Sequence, residues 1–419
     1  MKIKVKNLSY DEVLALPDNK RKKPKNQDII LRYLLKFLGR ILLIPNGFKC
    51  KKDDLKKLAK NEPCLILMNH SCFTDLMIAV SIFSPRKLNI VCTSDGFVGK
   101  ERLMRGLGCV PTQKFVTDIQ LVKDIIYCIK TLKSSVLMYP EASYSFDGTA
   151  TVLPESLGKL VKKLQVPVMM ISTKGAFLQD PLYNNLQKRK VKISAEVKFL
   201  LSADDIENKS VDEINEIIKN EFTFDNFRYQ QENNIKITES FRADYLHRVL
   251  YKCPHCLSEF TMNGSGDSII CNKCSTEYHL TETGFLECKN NDGKFNHIPD
   301  WYNWQRECVK KEIINNTYNF DSKVKIMVLK DFKNIYDIGY GKLTHSLNGF
   351  TLRSDDSSLE YTQSAKASYS LYSDFYWYSI GDIICIGNNK MLYYCFPENR
   401  NYSVAKARLA AEELYKSNQ

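Results

Sequence analysis

The segment CLILMNHSCFTDLMIAV, residues 64–80, carries the only histidine of the first 246 residues, with a carboxylate five positions further on. Histidine is the usual general base because its ordinary pKa, near 6.5, leaves it neutral and proton-accepting around pH 7. A base must also be held in one tautomer, commonly by a carboxylate on its other nitrogen. Asp75 can do this for His70 if residues 71–75 turn back into the first coil of a helix. The pair is then a two-member relay without a nucleophile of its own. The nucleophile would be the substrate, a hydroxyl that gives its proton to His70 as it attacks an acyl thioester. A structural histidine satisfied by a nearby acid would show the same spacing, so the context has to decide.

Four cysteines form the second chemical constellation. Cys253-x2-Cys256 and Cys271-x2-Cys274 are two thiolate knuckles with 14 residues between them, close to the spacing of a zinc ribbon. Tetrahedral Zn²⁺ wants four soft ligands, and two such turns deliver them without a large core. Four protein ligands close the site to water, which predicts a structural zinc. In so small a module metal affinity is also folding free energy. His255 and His279 lie nearby as alternates that the site does not need, and Cys288 reads as a spare thiol.

Residues 61–225 have the pattern needed to position His70. Strands are predicted at 64–68, 88–92, 136–139, 166–171 and 191–201, and helices at 72–83, 119–132, 156–164 and 211–222. The last helix opens with Ser210-Val211-Asp212-Glu213, a capping-box pattern. Strands alternating with helices imply an α/β domain with a mostly parallel sheet. In such sheets ligands bind beyond the carboxyl ends of the strands. Asn69-His70 and Pro140-Glu141 both follow predicted strands at that end.

With a strand before it and a helix after it, Asn-His-x4-Asp resembles the first motif of the glycerolphosphate and 1-acyl-glycerol-3-phosphate acyltransferase family, and Asn69, His70 and Asp75 all match. The resemblance implies that His70 is the general base and Asp75 its orienting acid. The family's Pro-Glu-Gly-Ser/Thr-Arg motif is met by Pro140-Glu141-Ala142-Ser143-Tyr144. Here Ala142 replaces glycine, a small change, and Tyr144 replaces an arginine whose planar, charged fork a hydroxyl cannot reproduce. In Leu107-Gly108-Cys109-Val110-Pro111-Thr112-Gln113-Lys114, Lys114 stands where the second motif has arginine, either as a point charge for phosphate or as a solvated lysine. Val166-Pro167 in an apolar run suggests the fourth motif. The resemblance covers residues 30–225 and implies substrate contacts for Asn69, Lys114, Glu141 and Ser143. Arg102 and Arg105, between the motifs, read mainly as helix-surface residues.

The rest of the chain sets the context. Net charge is +12, with a basic run at Lys20, Arg21, Lys22, Lys23 and Lys25, which fits a solvated arm or attraction to an anionic lipid surface. The first residues, MKIKVKNLSYDEV, lack an apolar core, so no secretory signal is expected. Most of the 14 cysteines sit singly in apolar surroundings, as expected of a reducing cytosol rather than a disulfide framework. Residues 27–47 form the most hydrophobic segment, interrupted by Arg32, Lys36 and Arg40 at intervals of four, which predicts an interfacial or domain-packed amphipathic helix rather than a membrane span. Seven short alternating runs from about residue 320, followed by a helix at 403–416, resemble a pleckstrin-homology-like domain. Its DFYWYSIG segment, with Tyr376, Trp377 and Tyr378, reads as a membrane- or partner-facing patch or as that domain's own core and rim. The ribbon's lysines are offset by acids, so nucleic-acid binding is not expected of it.

The expectation is thus a three-part protein: an acyltransferase domain with basic arm and amphipathic helix at 1–246, a zinc ribbon at 247–290 and a β-rich domain at 291–419. It would act peripherally on the cytoplasmic face of a membrane, moving a fatty acyl group from acyl-CoA or acyl-carrier protein to a glycerolipid hydroxyl, first of all that of 1-acyl-glycerol-3-phosphate. Acyl transfer to a non-phosphate acceptor and a catalytically inactive zinc-dependent adaptor are the alternatives.

Overall fold

The computed structural model describes residues 3–45, 47–72, 74–116, 118–290, 292–398 and 403–418. The alternating segment forms one seven-stranded sheet. Its spatial order is Lys49–Lys51, Ser194–Leu201, Val168–Lys174, Leu65–Met68, Ser135–Met138, Leu88–Thr93 and Cys109–Thr112. Every neighbouring pair is parallel except Val168–Lys174 with Ser194–Leu201.

The histidine's own strand shows why the sequence takes this shape. All four residues of Leu65–Met68 are buried, as befits a central parallel strand covered on both faces. Successive side chains alternate between the faces. Leu65 and Leu67 join Ile125, Leu157, Val161 and Ile214 in one core, whereas Ile66 and Met68 join Leu35, Ile78 and Phe83 in the other. The first face carries helices Ile119–Lys130, Ser156–Leu164 and Val211–Glu221, and the second carries Ile29–Leu43 and Thr74–Phe83. The capping box predicted at Ser210 forms: its Oγ accepts from the Glu213 amide at 3.2 Å, and Glu213 accepts from the Ser210 amide at 2.7 Å. Of the helix predicted at 72–83, Phe73 lies outside the described residues, as does Asn46 of the 27–47 segment. Helices Ile29–Leu43 and Thr74–Phe83 approach so closely that a Cβ on Gly39 would stand 3.2 Å from the Met77 carbonyl oxygen.

The cysteine-rich segment is an antiparallel meander of Met262–Ser265, Ser268–Cys271, Glu277–Leu280 and Leu286–Cys288. A helix not foreseen from the sequence, Ile298–Ile314, is tied to it. Trp301 Nε1 donates to the Lys252 carbonyl at 2.9 Å, and Gln305 bonds both the Lys252 amide and the Val249 carbonyl.

The C-terminal part is mainly β, as expected. Its strands are Phe320–Leu329, Ile335–Ser346, Gly349–Ser354, Glu360–Ser364, Tyr372–Trp377, Gly381–Gly387 and Leu392–Pro397, followed by helix Val404–Ser417. The first strand pairs with both the second and the last, so the spatial order is fourth, third, second, first, seventh, sixth, fifth. A strand from the start of the chain, Val5–Asn7, adds in parallel to Ile335–Asp337. Among the described residues no helix is long and apolar enough to cross a membrane.

Candidate active site

His70 stands just beyond the carboxyl end of Leu65–Met68. The residues between it and the next helix are wound around the Asp75 carboxylate. One oxygen, Oδ2, accepts from the Ser71 amide at 2.6 Å and the Cys72 amide at 2.9 Å, and faces His70 Nδ1 at 3.3 Å. Asp75 is fully buried, whereas about 20% of the His70 side chain is accessible. A carboxylate at Nδ1 favours the tautomer with its proton on that nitrogen, leaving Nε2 as the acceptor. Among the described residues Nε2 makes no hydrogen bond. Burial lowers the His70 pKa below the ordinary value, and the Asp75 contact pulls it back only in part. The imidazole is therefore neutral near pH 7.

The ring is held between two tyrosines. Tyr139 stacks on it at 4.1 Å between centroids, and Tyr144 lies against it at 4.3 Å, tilted by 49°. Tyr144 is the residue that stands in place of the motif's arginine, and its ring packs against the His70 imidazole instead of offering a charge. Glu141 is buried and has both oxygens occupied. Oε1 accepts from the His70 amide at 3.0 Å, and Oε2 from the Thr151 amide and hydroxyl at 2.9 and 3.1 Å. Burial pushes its carboxyl up to about 7, against the pull of these donors. Between Glu141 and Ser143, Ala142 takes φ +56°, a left-handed conformation that glycine adopts without the strain a Cβ brings. The glycine replacement, small on paper, falls on a position whose backbone calls for glycine.

The residues expected to touch substrate divide on inspection. Asn69 is pinned to the neighbouring strand, its Oδ1 accepting from the Thr173 amide at 2.8 Å. Ser143 is buried, its hydroxyl 3.5 Å from the Tyr144 carbonyl. Asn69, Glu141 and Ser143 thus shape the turns around His70. Lys114 is not a solvated lysine. Its ammonium lies 4.3 Å above the Tyr372 ring, and burial lowers its pKa against the pull of Asp374 and Asp95. Arg102 is exposed, and Arg105 is 2.7 Å from Glu101.

Sequence reasoning missed the other wall of the site. Asp95, in the turn after Leu88–Thr93, accepts on Oδ2 from the Tyr372 hydroxyl at 3.0 Å and Trp377 Nε1 at 2.9 Å. Phe146 stacks on Phe375 at 4.4 Å. Arg408 of the closing helix reaches the Tyr144 carbonyl at 3.5 Å and lies 4.6 Å from the Phe146 ring. The C-terminal domain therefore rests on the carboxyl ends of the parallel strands. Of the DFYWYSIG aromatics, read as an outward patch or as the domain's own core and rim, Trp377 is buried in this contact while Tyr376 is exposed. The cluster of aromatics was the available signal; its partner, a lone aspartate in a turn, carried none.

The four cysteines converge as their spacing implied. Their sulfurs lie within 4.8 Å of one another, with Cys253–Cys274 and Cys256–Cys271 each at 3.7 Å. Tetrahedral zinc with Zn–S bonds of about 2.3 Å requires sulfur–sulfur edges of about 3.8 Å, so the cluster fits such an ion. His255 is exposed, and His279 pairs with Asp267 at 3.6 Å.

A family model described as Acyltransferase matches residues 49–174. Among solved structures, a 1-acyl-sn-glycerophosphate (LPA) acyltransferase, PlsC, from Thermotoga maritima is similar at 13% identity, covering 46% of this chain and 81% of that one, with a TM-score of 0.37. No curated protein matches the chain. The matched segment runs from the edge strand Lys49–Lys51 to the end of Val168–Lys174 and encloses His70, Asp75, Lys114 and Glu141, so the chain carries, over residues 49–174, a domain of the Acyltransferase family.

Proposed function

We propose that the protein transfers a fatty acyl group from acyl-CoA or acyl-carrier protein to a free hydroxyl of a glycerolipid such as 1-acyl-glycerol-3-phosphate. The observation that carries this reading is His70: its Nδ1 faces a buried carboxylate, and among the described residues its Nε2 is unbonded, at the carboxyl end of a central strand of a mostly parallel sheet. Nε2 takes the acceptor's hydroxyl proton as the oxygen attacks the thioester carbonyl, and Asp75 stabilises the imidazolium that forms. Collapse of the tetrahedral intermediate expels the thiolate, which recovers the proton from Nε2. The thioester is already activated, so the scheme needs no acyl-enzyme.

Lys114 supplies one positive charge near His70 for a phosphate. The absence of the motif's arginine at Tyr144 favours a second reading, a non-phosphate acceptor. The helix Ile29–Leu43 supports peripheral attachment to the cytoplasmic face of a membrane: Ile30 is 78% and Phe37 61% exposed, with Arg32, Lys36 and Arg40 alongside. An apolar face edged by cations suits an anionic lipid surface. The strand order and closing helix of the C-terminal part support a pleckstrin-homology-like assignment, and the sulfur spacing supports structural zinc.

The test is acyl transfer by purified protein from acyl-CoA to lysophospholipids. His70→Ala should lower turnover by about 10² or more. Unchanged turnover would remove His70 from the chemistry, and no transfer by the wild type to any acceptor would favour the adaptor reading.

A further inference from the structure

The proposed proton transfer uses His70 and Asp75 but leaves two charged side chains beside the base unexplained. Strand Tyr372–Trp377 docks through Tyr372 and Trp377 on Asp95, beside the carboxyl ends of the parallel strands. Partly exposed side chains line this junction. His70, Lys114, Tyr139 and Tyr144 come from one domain and Asp374 from the other, and each keeps part of its surface accessible. Lys114 makes no hydrogen bond or ion pair among the described residues, only its contact with Tyr372. Asp374 Oδ1 is buried and has no hydrogen-bond partner among the described residues. A bulge places it there: the pairing register shifts between Asp374 and Trp377, a device that re-aims side chains. The nearby Arg408 is already matched by Glu412 at 3.3 Å.

We infer that the side chains at this junction bind the acceptor's headgroup, with Lys114 on its phosphate and Asp374 on a hydrogen-bond donor beyond the phosphate. The inference rests on the acyl-transfer reading and narrows its substrate. One ammonium facing a carboxylate suits the single charge of a phosphodiester better than the near-double charge of a phosphate monoester. A buried oxygen without a partner suits a headgroup carrying O–H or N–H, since such a group left unpaired is costly. The acceptor class is therefore a lysophospholipid phosphodiester with a donor-bearing headgroup. Asp374, from the C-terminal domain, would select it.

Full-length protein with acyl-CoA would be given lysophosphatidylglycerol, lysophosphatidylethanolamine, lysophosphatidylcholine and lysophosphatidate in identical micelles. The first two should be preferred. Lysophosphatidylcholine has the diester but no N–H or O–H on its headgroup nitrogen, and lysophosphatidate is the monoester. In Asp374→Ala the kcat/KM ratio of lysophosphatidylglycerol to lysophosphatidylcholine should fall about tenfold or more. Asp374→Asn, nearly isosteric, should fall between, which separates recognition from misfolding. A preference for lysophosphatidate, or an Asp374 effect equal on all acceptors, overturns the inference and leaves acyl transfer standing. Loss of His70-dependent transfer to every acceptor would instead remove the reading beneath it.

Discussion

Replacing Asp75 by asparagine separates two jobs that one oxygen performs. Oδ2 receives the Ser71 and Cys72 amides and also faces His70 Nδ1. An asparagine with its carbonyl in that place keeps all three contacts, so the turn before helix Thr74–Phe83 should survive, with a stability change of about 1 kcal/mol or less. What disappears is the negative charge beside the imidazolium that forms when His70 takes the acceptor's proton. At 3.3 Å and an effective dielectric constant of about 20, a unit pair is worth about 5 kcal/mol. Loss of that charge should lower kcat by about 10³–10⁴. The assay is kcat at saturating acyl-CoA, paired with a thermal melt of the same preparation. A variant that keeps activity within tenfold, with an unchanged melt, would show that Asp75 is a helix cap and no part of a relay, and the base assignment would fall with it.

Further outcomes follow from the same geometry. Because burial lowers the His70 pKa and only the neutral ring accepts a proton, kcat/KM should rise with pH to a plateau, with its midpoint below about 6.5; a midpoint above 7 contradicts the assignment. Metal analysis should find one zinc per chain. Cys271→Ser should lower the melting temperature of the whole protein, because the ribbon shares one core with Trp301 and the C-terminal strands; an unchanged melt would refute the structural role. Ala142→Gly should be neutral or stabilising by about 1 kcal/mol, since a Cβ at φ +56° costs about that much, and a destabilised variant would show that the methyl group packs usefully. Ile30→Ser with Phe37→Ser should weaken sedimentation with phosphatidylglycerol vesicles about tenfold or more, as two exposed apolar side chains are removed; undiminished binding places the lipid contact elsewhere.

What could be read in advance was whatever repeats with a local period or a fixed spacing. Leu65–Met68 was visible as a short apolar run, and helix Ser156–Leu164 by its apolar spacing, because burial on one or two faces writes itself into alternate or every third and fourth residue. The cysteine pairs were legible because ligand geometry fixes their separation. Helix Ile298–Ile314 escaped because its buried stripe, Trp301, Tyr302, Gln305, Val309 and Ile313, contains a glutamine that looks like a solvent residue. Gln305 is fully buried all the same, its amide spent on two backbone groups. Strand Val5–Asn7 was equally hidden: all three residues are exposed, so backbone pairing with Ile335–Asp337, and no side-chain pattern, holds it in place.

The placement of the C-terminal domain belongs to a third kind of information. It depends on Asp95 meeting Tyr372 and Trp377, residues 277 and 282 positions apart, and on Arg408 meeting the Tyr144 carbonyl across 264. Neither contact leaves a local trace, since a buried aspartate with two aromatic donors looks in sequence like any turn residue. The consequence reaches the chemistry. The same loop that lost the motif's arginine at Tyr144 is the one the closing helix grips, and the strand that docks on Asp95 brings Asp374 opposite Lys114. On the proposed reading, acceptor recognition would be shared between two domains, which is why a motif confined to residues 64–145 points to a candidate base and not to the headgroup it would serve.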